Sequence, residues 1–162
     1  LIAIRAEELS GAGAGPGRVV AIRCPNSAAT ILALRASWRI GAAAFPIHPA
    51  ATERTVASLL DRVAPAMVVD PGADQTDLAI TLTPSDEGPS LPDGTALLLA
   101  TSGSTGEPKI AMHTQSSLAA KAGQMPGVHG LGADDVVLMP APMSHMSGVL
   151  NGVLVPGAAG TG

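Results

Sequence analysis

The fold is decided by residues 17–47, which read GRVVAIRCPNSAATILALRASWRIGAAAFPI. The apolar run at 18–23 predicts a buried strand, and the apolar run at 42–47 predicts a second one. The residues between them, 28–40, have the length and the apolar spacing of a helix. A strand, a helix and a strand in this order are typical of two parallel strands joined by a crossover helix.

The predicted helix at 28–40 has recognisable ends. Its apolar residues recur at helical spacing from Ile31 to Trp38, which predicts that this face packs into the core. Either Asn26 or Ser27 is suited to cap the first turn, because a short polar side chain accepts a hydrogen bond from the free backbone N–H groups there. Gly41 is suited to end the helix.

The alternation of helix and strand continues along the chain. Thr52 is expected to cap a second helix, and a further helix is predicted at about 114–124. Strands are predicted at 66–70, 95–100 and 135–140. This order favours a parallel sheet with helices packed against it.

Residues 71–94 interrupt the alternation with proline, aspartate, serine and threonine in no regular period. We expect an irregular surface excursion there and not a domain boundary, because a strand resumes at once. The predicted fold class is α/β, a mostly parallel sheet with helices on both faces, and residues 1–162 are expected to form a single partial domain.

Composition narrows the classes of function. The chain has 162 residues, 46% of them apolar, and a net charge of −4, which argues against a nucleic-acid-binding surface. No apolar run approaches the length of a membrane span. Cys24 is the single cysteine, so no internal disulfide can form, and a reducing, cytoplasmic location is the expectation.

The stretch TSGSTGEPK, residues 101–109, carries the chemistry. It follows a predicted buried strand and is expected to lead into a helical stretch. A turn with glycines and hydroxyls at the carboxyl end of a parallel strand lets backbone N–H groups approach an anion, and Lys109 adds a positive charge. The stretch is not the common P-loop, since Pro108 and Ile110 occupy places that need Gly and Ser or Thr. A solvated Ser/Gly turn is the alternative explanation.

The order of residues in this loop resembles the phosphate-binding signature of the adenylate-forming superfamily, T-S-G-[ST]-T-G-x-P-K-G. This superfamily includes acyl-CoA synthetases and the adenylation domains of peptide synthetases. Only the last place differs, where Ile110 replaces the usual glycine. The resemblance extends to VAIRCPNS, residues 20–27, and to PAPMSHMSG, residues 140–148, which is similar to the family segment P-x-x-H-x-x-G followed by a helix. The fold implied is the large N-terminal domain of such an enzyme.

The resemblance implies an activity and a set of site residues. Family members join ATP and a carboxylate into an acyl-adenylate with release of pyrophosphate, and then transfer the acyl group to coenzyme A or a carrier-protein thiol. Lys109 and His145 would be catalytic, with His145 bordering the acyl pocket, and Thr101 would contact Mg²⁺. The ATP phosphates would be held by Thr101, Ser102, Gly103, Ser104, Thr105, Gly106 and Lys109. A small carboxylic acid is the implied substrate, and no nucleic acid is implied as a partner.

The remaining candidates have plainer explanations. His145 could instead be a helix-capping or core histidine, and Met143, Met146 and Val149 could line the acyl pocket or pack in the core. His48 is expected to be structural. Cys24 and Trp38 are expected in the core, His113 and His129 have no partner visible in the sequence, and no pair of residues has zinc-ligand spacing.

The chain begins at Leu1 inside a helical pattern without an initiator methionine, and it ends on GAAGTG without a finished element. In the family that it resembles, the adenine pocket, the adenylation lysine and a small C-terminal domain follow later in the chain. We therefore expect an amino-terminal part of an acyl-CoA synthetase that has no turnover alone. The alternatives are a non-catalytic module that binds a phosphate-bearing ligand or a partner, and the adenylation domain of a peptide synthetase.

Overall fold

The computed structural model describes residues 1–72, 76–83, 91–101 and 108–161. Within these ranges, six strands form one sheet in the order β4-β3-β1-β2-β5-β6. The strands are β1 (Val19–Arg23), β2 (Ala43–Ile47), β3 (Met67–Pro71), β4 (Leu78–Leu82), β5 (Thr95–Thr101) and β6 (Lys109–Thr114). The pairings of β1 with β2 and β3, and of β2 with β5, are parallel, whereas β4 and β6 are antiparallel edge strands.

Helices cover both faces of the sheet. They are α1 (Ile2–Gly11), α2 (Ala28–Arg39), α3 (Glu53–Val63), α4 (Gln115–His129), α5 (Met146–Val149) and α6 (Val155–Ala159), with a π-helical turn at Leu150–Leu154 between the last two. Helix α3 packs on one face, while α1, α2 and α4 contribute to the core on the other. The predicted α/β class with a mostly parallel sheet and helices on both faces is therefore confirmed. None of the helices in the described ranges has the length and apolar character that a membrane crossing requires.

The central strands alternate their side chains between two cores. In β1, Val20 and Ile22 pack with α1 and α2, whereas Val19 and Ala21 pack with α3. All of them are fully buried, because both faces of the sheet are covered by helices. This explains why β1 appears in the sequence as a continuous apolar run.

The ends of the helices follow the predicted capping chemistry. Ser27, not Asn26, caps α2, and its hydroxyl accepts a hydrogen bond of 3.2 Å from the backbone N–H of Thr30. Thr52 caps α3 in the same way, and Gly41 follows α2 with a φ of +74°. The half-buried Trp38 donates from its indole Nε1 to the carbonyl of Ala96 at 2.8 Å, which ties α2 to β5.

The two edge strands differ from the sequence predictions. Residues 71–94 were expected to be irregular, but Leu78–Leu82 form the edge strand β4, whose Leu78 and Ile80 pack against the core. The loop after β5 leads into β6 and not directly into a helical stretch, whereas the helix predicted at about 114–124 is confirmed as α4, which begins at Gln115. Both strands are exposed along one side, so their apolar residues leave a weak signal.

The predicted strand at 135–140 is wrong. These residues pair with no strand in the part of the chain that the structure describes. They keep a two-residue alternation, because Val136 and Leu138 are 84% and 88% exposed whereas Val137 and Met139 are half-buried. An alternating pattern predicts a strand, yet only hydrogen bonds to a neighbouring strand make one.

Candidate functional site

The two ends of the glycine-hydroxyl loop lie side by side. Thr101 is the last residue of β5, Lys109 is the first of β6, and the two are directly paired across the antiparallel ladder. The hydroxyl of Thr101 donates to the carbonyl of Lys109 at 3.3 Å, and both residues are exposed. The loop therefore leaves the carboxyl end of a strand that runs parallel to its neighbour β2, as the sequence predicts. Ser102, Gly103, Ser104, Thr105 and Gly106 lie outside the described residues.

Ile110, the one departure from the family signature, lies in β6 opposite Ala100 and packs partly buried against the core on the α3 face. Its backbone does not have the positive φ that would require glycine, since Ala64 is the only non-glycine residue with positive φ among those described. Isoleucine therefore fits the backbone conformation at position 110, and its side chain adds apolar packing that a glycine would lack.

Thr101 and His145 meet at two neighbouring cavities. One, of about 330 Å³, is lined by Leu99, Ala100, Thr101, His145 and Met146. The other, of about 170 Å³, lies at the mouth of the loop, and its walls include Thr101, Pro108, His48, Ser144 and His145. The structure therefore brings the start of the predicted phosphate loop and the predicted acyl-pocket histidine to a shared space.

The side chain of His145 is free to face this space. His145 occupies the N-cap position of α5, but its imidazole makes no capping hydrogen bond and is exposed. Its ring lies near that of His48, with ring centroids 6.1 Å apart and planes tilted by 50°. Ser144 beside it is only 5% exposed, and its hydroxyl has no hydrogen-bond partner among the described residues. The helix-capping explanation of His145 does not fit this geometry.

The segment that carries His145 is held by Asn26, a contact that sequence reasoning missed. The amide Nδ2 of Asn26 donates to the carbonyl of Ala141 at 3.1 Å, and its Oδ1 accepts from the backbone N–H of Met143 at 3.0 Å. The only signal in the sequence was the PNS motif, in which Asn26 was considered as a helix cap. Because Ser27 takes that task, the amide of Asn26 is available to the distant segment.

Gly148, the last residue of the P-x-x-H-x-x-G motif, allows this segment to pack closely. A Cβ at this position would overlap the carbonyl oxygen of Pro142 and lie 2.9 Å from the Cα of Met143. The turn that precedes α5 is closed by a hydrogen bond of 3.0 Å from the N–H of His145 to the carbonyl of Pro142. The glycine is therefore required by packing of backbone against backbone.

The three apolar neighbours of His145 have different positions. Met146 lines the cavity shared with Thr101, whereas Val149 is fully buried in the core. Met143 is 7% exposed and lines a different cavity of about 780 Å³ beside α2 and α6, which includes neither Thr101 nor His145. Of the three, only Met146 lines a cavity together with His145.

Cys24 is a structural residue, as the sequence predicts. It is 1% exposed, and its Sγ donates to the carbonyl of Ile22 at 3.3 Å. Burial raises the pKa of the Cys24 thiol to about 12, because the thiolate would lose its hydration. A buried thiol with a raised pKa forms little of the thiolate that acts as a nucleophile, in keeping with a structural role.

The described residues do not by themselves form a cluster of metal ligands. In the described ranges, no group of three or more His, Cys, Asp or Glu side chains is arranged to hold a metal. Mg²⁺ commonly keeps several waters and binds through substrate phosphates plus one or two protein oxygens. The exposed hydroxyl of Thr101, at the start of the loop, has the chemistry and the location to be one of those oxygens.

The family described as "AMP-binding enzyme" matches residues 5–161. Enterobactin synthase component F of Escherichia coli O157:H7 is 32% identical over 146 residues, which cover 82% of this chain and 11% of that protein. The oxalate–CoA ligase of Arabidopsis thaliana is 28% identical over 185 residues, covering 94% of this chain and 35% of the ligase. This chain thus spans a minor part of the curated relatives that it matches.

The fold is shared with solved structures. The apo structure of MatB from Rhodopseudomonas palustris superposes with a TM-score of 0.82 at 18% identity and covers 99% of this chain and 37% of that one. At this identity the match establishes the fold, while the family match covers nearly the whole sequence. The chain belongs to the family of AMP-binding enzymes.

Proposed function

We propose that this chain is part of an enzyme that activates a carboxylic acid with ATP and then forms a thioester with coenzyme A. The observation that supports the proposal most is the shared space between Thr101 and His145. Thr101, the first residue of the proposed phosphate-binding loop, and His145 line the same cavities, which supports a reaction between a nucleotide and an acyl acid there. The family membership supports the use of ATP.

In the proposed first step, a carboxylate oxygen of the acid attacks the α-phosphorus of ATP and pyrophosphate leaves. Lys109 and the loop that starts at Thr101 would hold the β- and γ-phosphates, and their positive charge and N–H donors would stabilise the departing pyrophosphate. Mg²⁺, when bound, would neutralise part of the phosphate charge. In the second step, the thiol sulfur of coenzyme A would attack the acyl carbonyl and AMP would leave with its bonding electrons.

His145 would border the acyl group, with Met146 beside it. An exposed imidazole that makes no capping hydrogen bond is available to contact the reacting carboxylate. The resemblance implies that residues for adenine and ribose, and the adenylation lysine, follow later in the sequence. Turnover is therefore expected from the full-length protein and not from this chain alone.

The experiment is ATP–pyrophosphate exchange by the full-length protein, measured with a panel that includes oxalate, cyclohexanecarboxylate, benzoate and medium-chain fatty acids. We expect acid-dependent exchange that falls at least about tenfold in Lys109→Ala, since that variant loses a charge-assisted contact to a phosphate. Lys121→Ala is the matched control, because Lys121 is an exposed lysine on α4. Normal exchange in Lys109→Ala would remove that residue from the site.

A second candidate function is the adenylation domain of a peptide synthetase, which the similarity to enterobactin synthase component F favours. Both functions share the adenylate-forming step and differ in the thiol that accepts the acyl group. Incubation with ATP, the acid and either coenzyme A or a phosphopantetheinylated carrier protein, followed by mass spectrometry, distinguishes them. Acyl-CoA supports the first function, and an acylated carrier supports the second. Absence of any acid-dependent exchange would favour a non-catalytic module.

A further inference from the structure

Asn26 lies at the junction between β1 and α2, away from the cavities that Thr101 and His145 share. Its side chain does not cap α2, because the hydroxyl of Ser27 accepts the capping hydrogen bond. Instead the amide uses both of its functional ends on one distant segment, donating to Ala141 at 3.1 Å and accepting from Met143 at 3.0 Å. Two hydrogen bonds of opposite direction restrict both the position and the rotation of that segment.

The segment needs such an anchor. Residues 131–141 belong to no helix or strand, so no ladder of backbone hydrogen bonds holds them to the described sheet. The turn at 142–145, which includes Met143, is closed by the N–H of His145 on the carbonyl of Pro142. The hydrogen bonds of Asn26 therefore hold the N-terminal end of the turn that presents His145, while Gly148 packs against the same residues from the following helix.

We propose that Asn26 is a positioning residue for the acid-activation reaction, which acts through His145 by fixing residues 141–143. This inference rests on the proposed function for its kinetic consequence, but its structural part concerns the imidazole of His145 alone. Asn26 lines neither of the two cavities that Thr101 and His145 share. Its loss should therefore affect the acid substrate and leave the use of ATP unchanged.

The kinetic test is a double-mutant cycle in the full-length protein. We expect Asn26→Ala to lower kcat/KM for the acid about tenfold, because two hydrogen bonds of modest net strength are lost, and to leave the KM for ATP within about twofold. In a His145→Ala background the same change should have almost no effect, since the two residues act in series. The proposal would be overturned if Asn26→Ala lowered kcat/KM for the acid by the same factor with and without His145. It would also be overturned if Asn26→Ala impaired the use of ATP as much as the use of the acid.

Ser27→Ala is the matched control. It removes the two hydrogen bonds between the Ser27 hydroxyl and Thr30 and should cost about 1 kcal/mol of stability through loss of the α2 cap, but neither bond involves residues 141–143. Comparable kinetics in Asn26→Ala and Ser27→Ala would show that Asn26 only stabilises the fold.

A second readout does not depend on activity. In NMR spectra of protein labelled with ¹⁵N-histidine, the imidazole nitrogen signals of His145 are assigned by their absence in His145→Gln. We expect Asn26→Ala to shift or broaden these signals and Ser27→Ala to leave them in place. Unchanged His145 signals in Asn26→Ala would overturn the inference, even if the protein proved to activate no acid. A shift without any acid-dependent exchange would support the positioning contact and count against the proposed function.

Discussion

Replacement of Gly148 by alanine tests how the His145 segment is built. The added Cβ would lie 2.6 Å from the carbonyl carbon of Pro142 and 2.9 Å from the Cα of Met143, and would overlap the Pro142 oxygen. Ordinary contacts need about 3.4 Å or more, so the backbone at 142–143 must move by roughly 1 Å. All the opposing atoms are main-chain atoms that cannot swing away, and the movement also strains both hydrogen bonds to Asn26.

We expect Gly148→Ala to reduce the free energy of unfolding by about 1–3 kcal/mol, the usual cost of overpacking a closely packed site. In a domain of this size, that corresponds to a Tm lower by roughly 3–10 °C. Differential scanning calorimetry measures the Tm, and the KM for the acid should rise in the full-length protein because His145 moves with the segment.

Gly123→Ala is the control for the substitution itself. Gly123 lies in α4, and a Cβ there would meet nothing within 4 Å. Alanine should raise the stability by up to about 1 kcal/mol, because it has the higher helix propensity. A Gly148→Ala protein that unfolds at the wild-type temperature or above it would refute the close packing on which this reasoning depends.

Two further changes test other parts of the site. His145→Ala should lower kcat/KM for the acid by about tenfold or more without changing the KM for ATP. Replacement of the exposed His129 by alanine is the control. An effect on the KM for ATP alone would show that His145 does not belong to the acyl pocket. Because the pKa of the Cys24 thiol is raised, the folded protein keeps a thiol proton that the unfolded chain loses at alkaline pH. The free energy of unfolding should therefore be unaffected below pH 9 and should fall as the pH rises from there towards about 12. Cys24→Ala should lack this fall in stability, which urea denaturation at a series of pH values would measure. An equal pH dependence of stability in both proteins would contradict the view that burial raises the pKa of the Cys24 thiol.

The central elements were predictable because their signals are local. The strand, helix and strand from Val19 to Ile47 show their periods and caps within a few residues, and the structure reproduces them. The edge strands β4 and β6 could not be predicted from the sequence, because strands exposed along one side carry few buried apolar residues. Residues 135–140 have the alternating pattern but pair with no strand among the described residues, and the pattern within one segment does not show whether another strand pairs with it.

The candidate site was predictable in part. The resemblance identified Thr101 and His145 as members of one site, and the structure brings both to shared cavities. The role of Asn26 could not be inferred, because it depends on contacts with residues more than a hundred positions away. The phosphate-binding roles of residues 102–106 remain predictions, since they lie outside the described residues.

The most direct test of acid activation follows one oxygen atom. The full-length protein is incubated with ATP, Mg²⁺, coenzyme A and a carboxylic acid labelled with oxygen-18 in its carboxylate, and the AMP released is analysed by mass spectrometry. Attack of the carboxylate on the α-phosphorus predicts AMP that carries one heavy oxygen. Unlabelled AMP, or ADP as the nucleotide product, would contradict the formation of an acyl-adenylate.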